Sequence, residues 1–95
     1  MQQIILITGA SSGMGKAFAK RLINEGHIVY GAARRVDQMQ DLVQAGGRSI
    51  ALDVTDDESI SAAVERIIDE QGRIDVLINN AGYAIYGSVE ETSIA

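Results

Sequence analysis

Three glycines, Gly9, Gly13 and Gly15, stand where an apolar run at residues 4–7 gives way to a helix-periodic stretch, in "LITGASSGMGK". Glycines so placed either make an ordinary tight turn or let a backbone approach a phosphate closely. The nucleotide P-loop, G-x-x-x-x-G-K-[ST], is one template for the second reading. Gly15-Lys16 supplies its ending, but Ala10 replaces its first glycine and Ala17 the hydroxyl that would bind magnesium. A G-x-G-x-x-G fingerprint fails too, because the spacing here is G-x-x-x-G-x-G. That spacing still suits a pyrophosphate. Gly9 permits a sharp exit from a strand, while Gly13 and Gly15 remove side chains where an anion approaches and a helix packs on a sheet. The amides from Ser12 to Gly15 then face the anion from the positive end of a helix. A glycine-rich turn with no ligand is the competing reading.

The elements that must hold these residues are legible from the hydrophobic period. Residues 3–8 read as a buried strand, continuously apolar and β-branched. Over residues 14–25 the period changes: Met14, Phe18 and Leu22 recur every four residues, with Ala17, Ala19 and Ile23 beside them, and Gly26 ends the stretch. Residues 27–33 make a second strand, 36–45 a weaker helix ended by Gly46-Gly47, and 48–54 a third strand. Thr55 and Glu58 fit a capping box that opens a helix buried through Ile60, Val64, Ile67 and Ile68 and closed by Gly72. Residues 74–79 are a fourth strand, and 90–95 look like the first turn of a fourth helix. This β-α alternation predicts a Rossmann-type α/β fold of three αβα layers, with a parallel sheet in the order 3-2-1-4. The fourth strand, "DVLIN", would lie at an apolar edge open to pairing.

The bulk numbers narrow the classes. Ninety-five residues at 46% hydrophobic content suit one domain over 1–95. The absence of cysteine excludes disulfides, thiolate zinc sites and cysteine nucleophiles. No apolar run approaches the ~18 residues of a membrane span. Met1 leads almost at once into a strand, which leaves no room for a signal peptide, so the cytosol is the expected compartment. A net charge of −5 argues against nucleic acid held by bulk electrostatics, so any anion must be held locally. The local cations are Lys16, Lys20 and Arg21 after the glycines, and the adjacent pair Arg34–Arg35.

In an open parallel sheet, ligands bind beyond the carboxyl ends of the strands. The four ends here are Thr8-Gly9, Ala33-Arg34, Asp53-Val54 and Asn79-Asn80-Ala81-Gly82, suited in turn to a pyrophosphate, an adenosine ribose, an adenine and a second ribose. Taken singly, Asp53 reads equally as a turn former and Asn79-Asn80 as loop amides. Together, "TGASSGMG" and "NNAG" resemble the two cofactor motifs of the short-chain dehydrogenase/reductase family, in register along essentially the whole chain. The resemblance implies a nicotinamide-dependent oxidoreductase of small alcohols and ketones, commonly a dimer or tetramer. It implies that Gly9, Ser11, Ser12, Gly13, Met14 and Gly15 line the phosphates and nearby ribose. Asp53, with Val54, would meet the adenine, and Asn80, Ala81 and Gly82 would support the nicotinamide-side ribose.

The sequence also departs from that family. Its Tyr-x-x-x-Lys pair and orienting serine cannot be found: the lysines are Lys16 and Lys20, and the tyrosines Tyr30, Tyr83 and Tyr86. Tyr83 and Tyr86 either border a substrate cleft or simply pack. The chain therefore reads as the cofactor-binding half of a longer reductase, ended inside its fourth helix and inactive by itself. The alternative is a non-catalytic nucleotide-binding or assembly module. Cofactor choice turns on the end of the second strand, where NAD-specific sites carry an acid that holds the ribose hydroxyls. Here that position is Ala33, followed by Arg34, whose guanidinium can pair with a 2′-phosphate. NADP is expected over NAD, with Arg34 the determinant; a solvated basic pair is the plainer reading.

Overall fold

The computed structural model describes residues 1–11 and 13–80. Its centre is β1, Ile4–Thr8, in which all five residues are buried. Helices on both faces of the sheet explain why this strand is apolar without alternation. On one side of it runs β2, Ile28–Ala33, which in turn pairs with β3, Arg48–Ala51; on the other runs β4, Val76–Asn79. All pairings are parallel and the order is β3-β2-β1-β4, as the alternation required. Thr8 lies level with Ala32 on one side and Asn79 on the other, so the strand ends form one rim.

Between the strands run α1 (Gly13–Asn24), a 3₁₀ turn (Val36–Met39) leading into α2 (Gln40–Gln44), and α3 (Asp57–Gln71). Ile5, Ile7, Ala19, Met39 and Leu42 pack on one face of the sheet. Leu6, Tyr30, Ile50, Val64 and Ile67 pack on the other, under α3. Tyr30 is wholly buried there, donating its hydroxyl to Glu70 and accepting from Gln71 at 3.2 Å.

Three local expectations give way to the structure. On α1, Met14 and Phe18 are 66% and 45% exposed, whereas Gly15 and Ala19 are buried. The seam at this end is made by the smallest residues, which let the helix sit close to β1 and turn Met14 and Phe18 outward, while Leu22 and Ile23 further along still pack against the core. The α3 capping box is not formed either. Asp56, not Thr55, caps the helix by accepting from the Glu58 amide at 3.0 Å, and Thr55 gives its hydroxyl to Asp53. The second helix is also shorter than its period suggested, since residues 36–39 wind as 3₁₀.

At the opposite end of the sheet from the rim, Asp75 accepts the Ile4 amide and returns its own amide to the Ile4 carbonyl, both at 2.8 Å. That amide, reinforced by the Arg73 guanidinium, holds the Asp75 carboxyl below the ordinary carboxylate range. A group depressed in this way stabilises the fold fully above its unfolded pKa of ~3.9, and the contribution is lost as pH falls through the folded value. Asp75→Asn is expected to lower stability at neutral pH and to shrink the loss on acidification from about pH 5 to pH 2. Urea melts across that window test this; an unchanged acid limb contradicts it.

Candidate functional site

The site grows from the exit of β1. Thr8, fully buried, donates its hydroxyl to Asn79 Oδ1 at 3.0 Å, which joins the ends of β1 and β4. Gly9 then turns with φ 67° and Gly13 with φ 60°, a region costly for residues with a Cβ. The Ala10 amide reaches the Ala32 carbonyl at 3.2 Å, so the turn is fastened over β2. Around Gly13 a Cβ would meet nothing within 4 Å among the described residues, which leave open space before the first turn of α1. Gly15 is the reverse. A Cβ there would fall 2.3 Å from the Gly9 carbonyl oxygen and 2.6 Å from Asn80 Nδ2. Asn80 Nδ2 itself donates to the Gly9 carbonyl at 3.4 Å, so β1, α1 and the end of β4 converge on one backbone group.

Beside this turn lies a cavity of about 260 Å³, lined by Gly9 and Ser11 at one end, by Ala33, Arg34 and Gln38 along the end of β2, and by Leu52 and Val54 beyond β3. Of the residues singled out in the sequence, Gly9, Ser11, Arg34 and Val54 therefore share one wall system. Gly15 lies beneath it as a packing residue, and Met14 is exposed. Asp53 does the turn former's work: its Oδ1 accepts the Thr55 hydroxyl at 2.6 Å and the Thr55 amide at 3.0 Å, while its own amide donates to Ser59 Oγ at 2.9 Å. The Thr55 hydroxyl, then the Thr55 amide and the field of Arg34 keep its carboxyl below the usual range. Ser12, Ala81, Gly82, Tyr83 and Tyr86 lie outside the described residues. Gln38 and Leu52 line the cavity without having been foreseen; a glutamine in a 3₁₀ turn and a leucine one residue past a strand give no sign of it in the sequence.

The two groups of cations separate clearly. Lys16 and Lys20 both bind Asp41 Oδ2, at 3.3 and 3.0 Å, and Arg21 pairs with Glu25 at 3.2 Å, so the cluster after the glycines is spent within the fold. Among the described residues Arg34 and Arg35 form no ion pair, and both line the cavity. The arrangement is a concave, largely apolar slot with the glycine turn at one end and, at the other, two guanidinium groups that form no ion pair among the described residues. Its shape and charge suit an elongated molecule with an apolar ring and phosphates.

These features define a class. The family model for short chain dehydrogenases matches residues 3–95, and the chain belongs to that family. It is 54% identical over 88 residues to a 3-ketodihydrosphingosine reductase of Bacteroides thetaiotaomicron, a match covering 93% of this chain and 31% of the relative. The chain thus spans about a third of the length of that curated relative. A solved short-chain dehydrogenase from Streptomyces avermitilis superposes with TM-score 0.83 at 43% identity, over 98% of this chain and 35% of the other. A metagenomic short-chain oxidoreductase in complex with NADP superposes with TM-score 0.77 at 36% identity, over 90% and 41% of the two chains. A 3-ketoacyl-(acyl-carrier-protein) reductase from Brucella melitensis, complexed with NADH, gives TM-score 0.74 at 31% identity, over 79% and 32%. No helix of the described residues is long and apolar enough to cross a membrane.

Proposed function

We propose that this chain is the dinucleotide-binding half of an NADP(H)-dependent reductase that interconverts an alcohol and a ketone on a small molecule, in a protein that works as a homo-oligomer. The observation that carries the cofactor choice is the end of β2. Ala33 stands where a ribose-binding acid would be, and Arg34 lines the cavity with no ion pair among the described residues. A guanidinium there attracts a 2′-phosphate that a carboxylate would repel. The NADP-bound relative supports this choice, and the NADH-bound one shows that the family's fold accommodates both.

In this reading Gly9, Ser11, Ser12, Gly13, Met14 and Gly15 hold the pyrophosphate and adjoining ribose through backbone amides and the helix end. Val54 and the Asp53 turn take the adenine, and Asn80, Ala81 and Gly82 brace the nicotinamide-side ribose. The bound nicotinamide supplies the hydride. These residues bind and orient it, and none of them is a proton donor placed for the substrate oxygen. The sequence holds no Tyr-x-x-x-Lys, so the 95-residue chain alone is expected not to turn over. The test is oxidation of NADPH on addition of a panel of small ketones and 3-keto compounds to the full-length protein and to the 95-residue chain. Ketone-dependent oxidation by the first alone is expected. Its absence across the panel overturns the reductase reading, and turnover by the 95-residue chain overturns the division of labour.

A further inference from the structure

We propose that Lys16 and Asp41 form a positioning clamp for the Arg34-bearing wall of the cavity, an inference that rests on the NADP(H) reading above. Lys16 lies one turn into α1. Its Nζ donates to the Gln38 carbonyl at 3.2 Å and sits 3.3 Å from Asp41 Oδ2. Lys20, one turn further on, reaches the same oxygen at 3.0 Å, and Asp41 Oδ1 accepts the Leu42 amide at 3.1 Å. Lys16 is the better covered of the two lysines, 26% exposed against 48%. The helix that starts at the glycine turn is thereby tied to the segment that carries Arg34, Arg35 and Gln38, all three of which line the cavity.

That segment is anchored from below by buried Met39 and by the Leu52 amide on the Ala33 carbonyl at 3.0 Å, but Arg34, Arg35 and Gln38 themselves are exposed. Arg35 is extended, with φ −119° and ψ 96°, and no side chain caps the 3₁₀ turn that follows. Such a turn is short and its hydrogen bonds are poorly aligned. The clamp fixes the distance between the amides at one end of the cavity and the guanidinium at the other, which a ligand phosphorylated at both places must span. The plainer role for two lysines near such a site is to attract phosphate by their field. Here the carboxylate they share offsets one of the two charges, and Lys20 with Lys16 holds the Asp41 carboxyl below its ordinary range.

The two roles predict opposite signs for one substitution. If the lysines act as cations, Asp41→Asn frees their charge and tightens NADPH. If they act through the clamp, it loosens the wall and weakens NADPH. With NADPH and NADH titrated into the full-length protein, Asp41→Asn and Lys16→Met are each expected to weaken NADPH about three- to tenfold, the scale of a modest ion-pair network, and to leave NADH nearly unchanged. Lys16→Arg should retain most of the affinity. In the Arg34→Ala background Lys16→Met should add nothing, because the wall it positions no longer carries the phosphate contact. Unchanged or tighter NADPH binding by Asp41→Asn, or full additivity of Lys16→Met with Arg34→Ala, overturns the clamp while leaving the cofactor reading intact. If Arg34→Ala by itself leaves NADPH binding unchanged, the cofactor reading falls and the clamp with it.

Discussion

Replacing Gly15 with alanine is expected to destabilise the protein and to impair cofactor binding with the same substitution. Alanine favours a helix over glycine by about 0.8–1 kcal/mol, so an unobstructed site would gain stability. At Gly15 the new methyl would fall 2.3 Å from the Gly9 oxygen and 3.0 Å from the Gly9 carbonyl carbon, both backbone atoms of the turn leaving β1. Asn80 Nδ2, at 2.6 Å, can swing aside only by giving up its bond to that same carbonyl. Either α1 lifts from the sheet or the turn moves, at about 1–3 kcal/mol or more for overpacking. Both displace the amides proposed to face the phosphates. Gly13→Ala provides the contrast, because a methyl there meets no atom of the described residues within 4 Å and the cost is that of its positive φ, about 1–2 kcal/mol. Urea midpoints and NADPH titrations of the two variants check this; a Gly15→Ala protein as stable as the parent contradicts the close packing.

Arg34→Ala is expected to cost selectivity and to leave stability nearly untouched. Arg34 is exposed and forms no ion pair among the described residues, so its removal takes from the fold little more than its field on the Asp53 carboxylate. With a 2′-phosphate in the cavity it would contribute one charge-assisted interaction, worth about 1.5–3 kcal/mol. NADPH should weaken about ten- to a hundredfold and NADH scarcely at all. Weaker NADPH binding should also depend less on salt, since a screened charge pair is what was lost. Equal losses for both cofactors would mean that Arg34 serves a part of the molecule common to both, and that the assignment of the 2′-phosphate is wrong.

Strand order was readable in advance because continuous apolar runs separated by helical periods leave few ways to cover both faces of a parallel sheet. The glycine turn was readable for a related reason: Gly9 and Gly13 do adopt positive φ, and Gly15 does sit where a side chain cannot. What the sequence hid lay at the level of competing partners. Thr55 and Asp56 are both competent helix caps, and the choice fell to Asp56 because Asp53 takes the Thr55 hydroxyl. The expected face of α1 was right in its second half, where Ala19, Leu22 and Ile23 pack on the core, and wrong for Met14 and Phe18, because close approach to β1 selects Gly15 and Ala19 at that end. Lys16 and Lys20 stood out in the sequence only as local cations, and their shared partner Asp41 lies over twenty positions later. The "NNAG" residues divide: Asn79 and Asn80 stitch β4 to β1, and Ala81 and Gly82 lie outside the described residues.

The central claim is that the β2 end of this site is built for a phosphate on the adenosine ribose. Side-by-side titration of NADPH and NADH into the unsubstituted full-length protein tests it most directly. NADPH is expected to bind at least about tenfold more tightly, the equivalent of one charge-assisted contact, and the gap should narrow as salt is raised. Equal affinities, or tighter binding of NADH, would contradict it.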